Sequence, residues 1–144
     1  MKSGSIKLVL FLWGFCLLSL PVYAQTAAVP TARQDASDVI LTRAAVCEEI
    51  INYTPFNPGV VFSISNGKIS CFTAFDGIPE KMFVYHKWFR QDSLVTRKRL
   101  TLKPPQWSTF SSIQLREADK GPWRVEIVDA NGTLFKTIRF SITD

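Results

Sequence analysis

His86 is the one histidine of the chain and the side chain best suited to move a proton near neutral pH. A hydrolase would need it beside a nucleophile and an orienting acid. It sits within the string VYHKWF, where apolar residues flank it on both sides, a setting that fits a histidine held by packing. The sequence has no G-x-S-x-G, no glycine-rich phosphate loop and no H-E-x-x-H, so motifs for nucleophilic, nucleotide and zinc-protease chemistry are missing. Glu48 and Glu49 are adjacent and fall on opposite faces of a strand, while Glu117 and Asp119 share a loop. Neither arrangement builds a paired-acid site. These residue types point away from catalysis. An enzyme centred on His86 with a nearby carboxylate stands as the alternative reading, and neither a cofactor nor a metal site is expected.

Cysteine is the second reactive type. Residues 8–20 (LVLFLWGFCLLSL) form an uncharged apolar run behind Lys2 and Lys7, Pro21 ends it, and Val22-Tyr23-Ala24 supplies small residues for cleavage before Gln25. Residues 1–24 therefore read as a secretory signal peptide. Thirteen apolar residues fall short of the roughly 20 needed to span a bilayer, so the mature chain is not expected to be an integral membrane protein. Phe15 stands where a lipobox before Cys16 needs a small residue. Cleavage removes Cys16 and leaves Cys47 and Cys71 in an oxidising compartment, the periplasm or the exterior, where they are predicted to pair. Closing that loop corresponds to about 3.5 kcal/mol in the chain-entropy model.

The mature chain of 120 residues suits one domain. Without Lys2 and Lys7, fifteen basic side chains face twelve acidic ones, a charge of about +3, which is too mild for a nucleic-acid partner. Residues 25–42 begin with a small, polar stretch lacking apolar periodicity and read as a flexible lead into a domain at 43–144. From there the pattern has period two. Trp123, Val125 and Ile127 alternate with Arg124 and Glu126, the chain turns at Asp129-Ala130-Asn131-Gly132, and alternation resumes over 134–143, which describes a hairpin with one buried face. A second hairpin is predicted over 81–90 and 94–102, and further strands over 43–50, 68–75 and 107–115. Residues 81–89 are apolar on both faces and read as a central strand. About seven strands in a hundred residues match an all-β, immunoglobulin-like antiparallel β-sandwich. Trp88 invites comparison with the core tryptophan of that fold, although both cysteines precede it.

Two surface features could bind a partner. Arg97-Lys98-Arg99, with Lys103 beyond and Lys87 and Arg90 across the hairpin, is the largest charge cluster, and Arg97 and Arg99 share a strand face. It suits an anionic lipid surface, lipopolysaccharide or an acidic glycan; the competing account is an edge strand guarded by charge. Tyr53, Trp107 and Trp123 lie in or beside loops and could stack on sugars or peptides, but alternation turns Trp123 inward.

Six blocks, Val46-Cys47-Glu48, residues 57–62 (NPGVVF), 69–73 (ISCFT), 84–89 (VYHKWF), 107–112 (WSTFSS) and 121–127 (GPWRVEI) with Asn131-Gly132, together resemble a bacterial family catalogued as domain of unknown function 2914, over about Arg43 to Asp144. The resemblance implies an exported or membrane-tethered bacterial β domain and no assigned reaction. It also implies that the cysteines and the tyrosine, histidine, tryptophan string are family features. The expected function is thus a non-catalytic binding or interaction module of the cell envelope, meeting an envelope protein, a glycan or an anionic lipid surface. Its candidate contact residues are Tyr85, His86, Trp88, Arg97, Arg99 and Trp107.

Overall fold

The computed structural model describes residues 39–144. The expected signal peptide, and the lead up to residue 38, lie outside the described residues. Strand pairing begins at Ile40, ahead of the expected boundary at 43.

Nine strands occur among the described residues: β1 (Ile40–Ile51), β2 (Thr54–Pro58), β3 (Val61–Ser63), β4 (Lys68–Asp76), β5 (Met82–Arg90), β6 (Ser93–Leu102), β7 (Trp107–Gln114), β8 (Gly121–Asp129) and β9 (Leu134–Thr143). β1 and β4 to β9 are the seven that alternation predicts. β2 and β3 escape it because one holds two prolines in five residues and the other is three residues long, and prolines are confined to strand edges and bulges. The hairpin turns follow their side chains. Asp129 Oδ1 accepts the backbone N–H groups of Asn131 and Thr133, both at 2.8 Å, and Gly132 takes φ 89°, the left-handed region that glycine enters without steric cost.

The strands form two sheets, β2-β1-β4-β7 and β3-β9-β8-β5-β6, all antiparallel neighbours except the parallel pair β3 and β9. With β1, β4 and β7 in one layer and β6, β5, β8 and β9 in the other, the order is that of immunoglobulin strands A, B, E against C′, C, F, G. β5, as expected, is hydrogen-bonded on both sides. Its even-numbered residues face the sandwich interior, so Trp88 occupies the place of the immunoglobulin core tryptophan and is fully buried. Phe140 of β9 is its neighbour and the centre of an aromatic group. It meets Trp88 and Phe62 edge-on at 6.1 and 6.0 Å and stacks on Trp123 at 6.2 Å, geometries favoured by ring quadrupoles. Val46, Ile69 and Phe75 of the first sheet close the core against Val84, Val125 and Ile127 of the second.

The predicted Cys47–Cys71 bridge is not made: both thiols are free and buried. The register gives the reason. Val46 lies opposite Cys71, and Cys47 opposite Ser70, so the cysteines are offset by one residue and their side chains leave opposite faces of the same sheet. Cys71 joins the core, while Cys47 turns to the outer side, where its thiol donates to the Ser70 carbonyl at 3.6 Å. Burial pushes both thiols up from their ordinary range, so neither is a nucleophile at neutral pH. Unreduced protein unfolded in guanidinium is therefore expected to alkylate at both Cys47 and Cys71 when mapped by peptide mass; recovery of a linked Cys47–Cys71 peptide would contradict the register.

Candidate functional site

β5 divides the predicted contact residues between two environments. His86 and Trp88 point inward and are fully buried, whereas Tyr85 is on the outer face of the five-stranded sheet. Inside, His86 spans the gap between the layers. Its Nδ1 lies 2.8 Å from Ser111 Oγ on β7 and its Nε2 3.2 Å from Thr73 Oγ1 on β4. Trp88 Nε1 donates to the same Ser111 Oγ at 3.1 Å, and Thr73 Oγ1 donates to the Thr109 carbonyl at 3.4 Å. One proton arrangement satisfies every group in the line: Thr73 donates to the Thr109 carbonyl and accepts from His86 Nε2–H, while Nδ1 carries no proton and accepts from the Ser111 hydroxyl. Desolvation lowers the His86 pKa to about 3, leaving a neutral ring with both nitrogens occupied by hydroxyls. That geometry ties the two sheets together through a fully buried ring.

The outer face of the same sheet has a different character. Alternation places Phe83, Tyr85, Lys87 and Phe89 there, each half-buried. Across the β5–β6 register Tyr85 faces Arg99 and Lys87 faces Arg97, while across β8 Lys87 faces Glu126 and Phe89 faces Arg124. The guanidinium of Arg97 lies 4.6 Å from the Tyr85 ring centre, that of Arg99 3.6 Å from Phe83 and that of Arg124 4.1 Å from Phe89. Three arginines are thus laid on three rings. Contact with a ring face desolvates one side of a guanidinium and leaves its N–H edge free for a planar oxyanion. Arg124 is tied to Glu126 and Asp92 at 3.0 and 3.2 Å, but among the described residues Arg97 and Arg99 meet no carboxylate. With Lys87 and Arg139 on the same face against Glu126 and the Asp92 carboxylate at its rim, the surface is net positive.

The structure therefore unites Tyr85, Arg97 and Arg99 and adds Phe83, Phe89 and Arg124 to them. Period-two alternation could have nominated both phenylalanines; Arg124 depends on the β5–β8 pairing, which no local pattern encodes. Trp107 is elsewhere, on the four-stranded sheet, 37 % exposed with the Lys103 ammonium 5.1 Å from its ring centre. The β1–β2 hairpin turns at Asn52 and Tyr53, with φ 49° and 57°. Tyr53 holds a left-handed conformation that bulky residues avoid, and its ring shares one shallow hollow of about 280 Å³ with Trp107 and another of about 300 Å³ with Phe110. These rings could stack on a sugar face.

Among the described residues no three His, Cys, Asp or Glu side chains gather as a metal site, and no helix is long and apolar enough to cross a membrane. Residues 81–142, from β5 through β9, match the model of a family described as protein of unknown function (DUF2914), and the resemblance seen in the sequence is borne out over that span. The blocks around Cys47, Asn57 and Cys71 precede it. No curated protein matches the chain. Among solved structures it is similar to a β-glucosidase from Kluyveromyces marxianus, at 12% identity and TM-score 0.39, over 54% of this chain and 13% of that one. It is also similar to a β-glucosidase from Listeria innocua in complex with glucose, at 7% identity and TM-score 0.46, over 74% of this chain and 16% of that one. The chain thus spans less than a fifth of either enzyme.

Two measurements probe the buried chain. Ser111→Ala orphans Trp88 Nε1–H and His86 Nδ1 together, and is expected to cost about 3 kcal/mol in urea unfolding; a loss well under 1 kcal/mol would mean the groups have other partners. Because the folded-state pKa of His86 is depressed from 6.5 to about 3, the unfolded chain takes up a proton in that window that the native state refuses. Stability is lost as pH falls, at up to about 1.4 kcal/mol per pH unit from this group. His86→Gln is expected to flatten that part of the pH profile, and equal slopes in the two proteins would refute the assignment.

Proposed function

We propose that this domain is an exported, non-catalytic binding module of the bacterial cell envelope whose contact surface is the outer face of β6, β5 and β8, and whose partner is polyanionic. The observation that carries the reading is the stacking of Arg97 and Arg99 on Tyr85 and Phe83 with no carboxylate to neutralise them. Edge protection does not account for these arginines. β6 is an edge strand, and Lys98, paired with the inward-facing His86, is the inward-pointing charge that guards an edge; Arg97 and Arg99 alternate to the opposite side. Export rests on the leader expected at residues 1–24 and on the bacterial family resemblance. The alternative, an enzyme centred on His86, loses support from the bonding of both ring nitrogens to hydroxyls deep in the core.

The test compares retention of the protein on phosphatidylglycerol vesicles, on phosphatidylcholine vesicles and on immobilised heparin as a polyanion probe. Binding to the anionic supports, weakened by salt, is expected, with Arg97→Glu/Arg99→Glu reducing affinity at least about tenfold. The anionic support that retains the protein separates a headgroup layer from a glycan. Unchanged retention of the double variant, or equal retention on the neutral vesicles, would refute the reading.

A further inference from the structure

We propose that the cleft between the free edge strands β6 and β7 is a second binding site, one that takes a phosphate group carried on a small hydroxylated body. It lies on the inward side of β6 and stands independently of the outer face. The cleft has a volume of about 450 Å³, within the range of small-molecule sites. Lys98 and Arg116 supply its positive charge, Thr96 and Gln114 its neutral polar groups, and Trp123 an aromatic wall.

Sequence and register explain why the cleft exists. Trp88 pairs with Thr96 but Phe89 pairs with Leu94, so Val95 is an extra residue, a β-bulge that bends β6 at the rim of the cleft. Beyond the bulge Lys98 lies opposite His86 and faces the gap between the sheets. Arg116 follows the end of β7 and enters the cleft from the other layer. Two cations from different sheets therefore approach one space, and among the described residues neither forms an ion pair. The carboxylate in the cleft, Asp119, already accepts the Arg116 backbone N–H at 2.7 Å, and Trp123 spends its indole N–H on the Asp119 carbonyl at 2.7 Å. Both are held in place as walls. A phosphate, with up to two charges and several acceptor oxygens, can meet Lys98 and Arg116 at once, while the hydroxyl of Thr96 and the amide of Gln114 suit a polyol.

The site can be tested by nitrogen–proton correlation spectra of the protein titrated with glycerol 3-phosphate, inorganic phosphate and glycerol. The signals of Lys98, Gln114 and Arg116 and the Trp123 indole are expected to shift saturably with glycerol 3-phosphate, less tightly with phosphate and not with glycerol. Lys98→Gln and Arg116→Gln are each expected to weaken binding about tenfold, while Arg97→Gln/Arg99→Gln leaves it unchanged. In Arg97→Gln/Arg99→Gln, where the outer face is disabled, phosphatidylglycerol vesicles that broaden the same signals unless Lys98 or Arg116 is also replaced would make a lipid headgroup the source of the phosphate, and vesicles without effect a free ester. Absent or unsaturable shifts, or a response lost in Arg97→Gln/Arg99→Gln and kept in Lys98→Gln and Arg116→Gln, would overturn the proposal. The vesicle and heparin retention of the Arg97/Arg99 variants is read separately, so failure of the outer face is distinguishable from failure of the cleft.

Discussion

The hydrogen-bonded line from Trp88 through Ser111, His86 and Thr73 to the Thr109 carbonyl joins the two layers of the sandwich, and the arrangement of β5, β4 and β7 depends on it. Apolar packing between sheets tolerates small slides, because one methyl group can replace another against the same surface. A buried polar group does not. The line runs through buried groups, and displacement along a strand would leave several of them unsatisfied in a low-dielectric interior. The line also sets the charge state it needs, since a protonated His86 would donate from Nδ1 and leave the Ser111 hydroxyl hydrogen without the acceptor it uses. Burial and hydrogen-bond direction therefore favour the same neutral tautomer.

Once His86 and Trp88 face inward, strand geometry decides the outer surface as well. Phe83, Tyr85, Lys87 and Phe89 are left outside by the two-residue period, and antiparallel pairing brings Arg97 and Arg99 to that side and Lys98 to the other. A run of three basic residues is thereby split between two surfaces. Two arginines lie on rings at an open sheet face, and one lysine looks into the space between edge strands. The same string read as a single charge cluster conceals this, because alternation and not proximity in sequence determines which charges act together.

The period-two pattern made seven strands, both long hairpins and the inward direction of Trp123 legible without coordinates, since each is fixed by residues close in sequence. It also showed that β5 is central, because a strand apolar on both faces has to be covered or paired on both sides. What stayed hidden rests on register between distant strands. Ser111 and Thr73 lie 25 and 13 residues from His86, and nothing in the local pattern around a serine announces that it closes a buried network. The ring partners Phe83 and Phe89 were visible as an alternating face but not as supports for particular arginines. Tyr53 is legible as an aromatic near a loop; its left-handed backbone and its closeness to Trp107 come from a hairpin that outruns its pairing with β4.

The cysteines show how one residue of register outweighs a compositional rule. Two cysteines in an exported chain are expected to oxidise, and here they occupy neighbouring strands at close sequence offset, which strengthens the expectation. Joining them would require β1 to slip by one residue against β4, and because side chains alternate, that slip would turn Val46 out of the core and Cys47 into it. It would also break the Thr73 alignment on which His86 depends, if β4 moved instead. The native packing thus holds the thiols apart, and burial keeps each one protonated. Without a staple, the two layers are held by a satisfied polar line across the core and the aromatic group around Phe140.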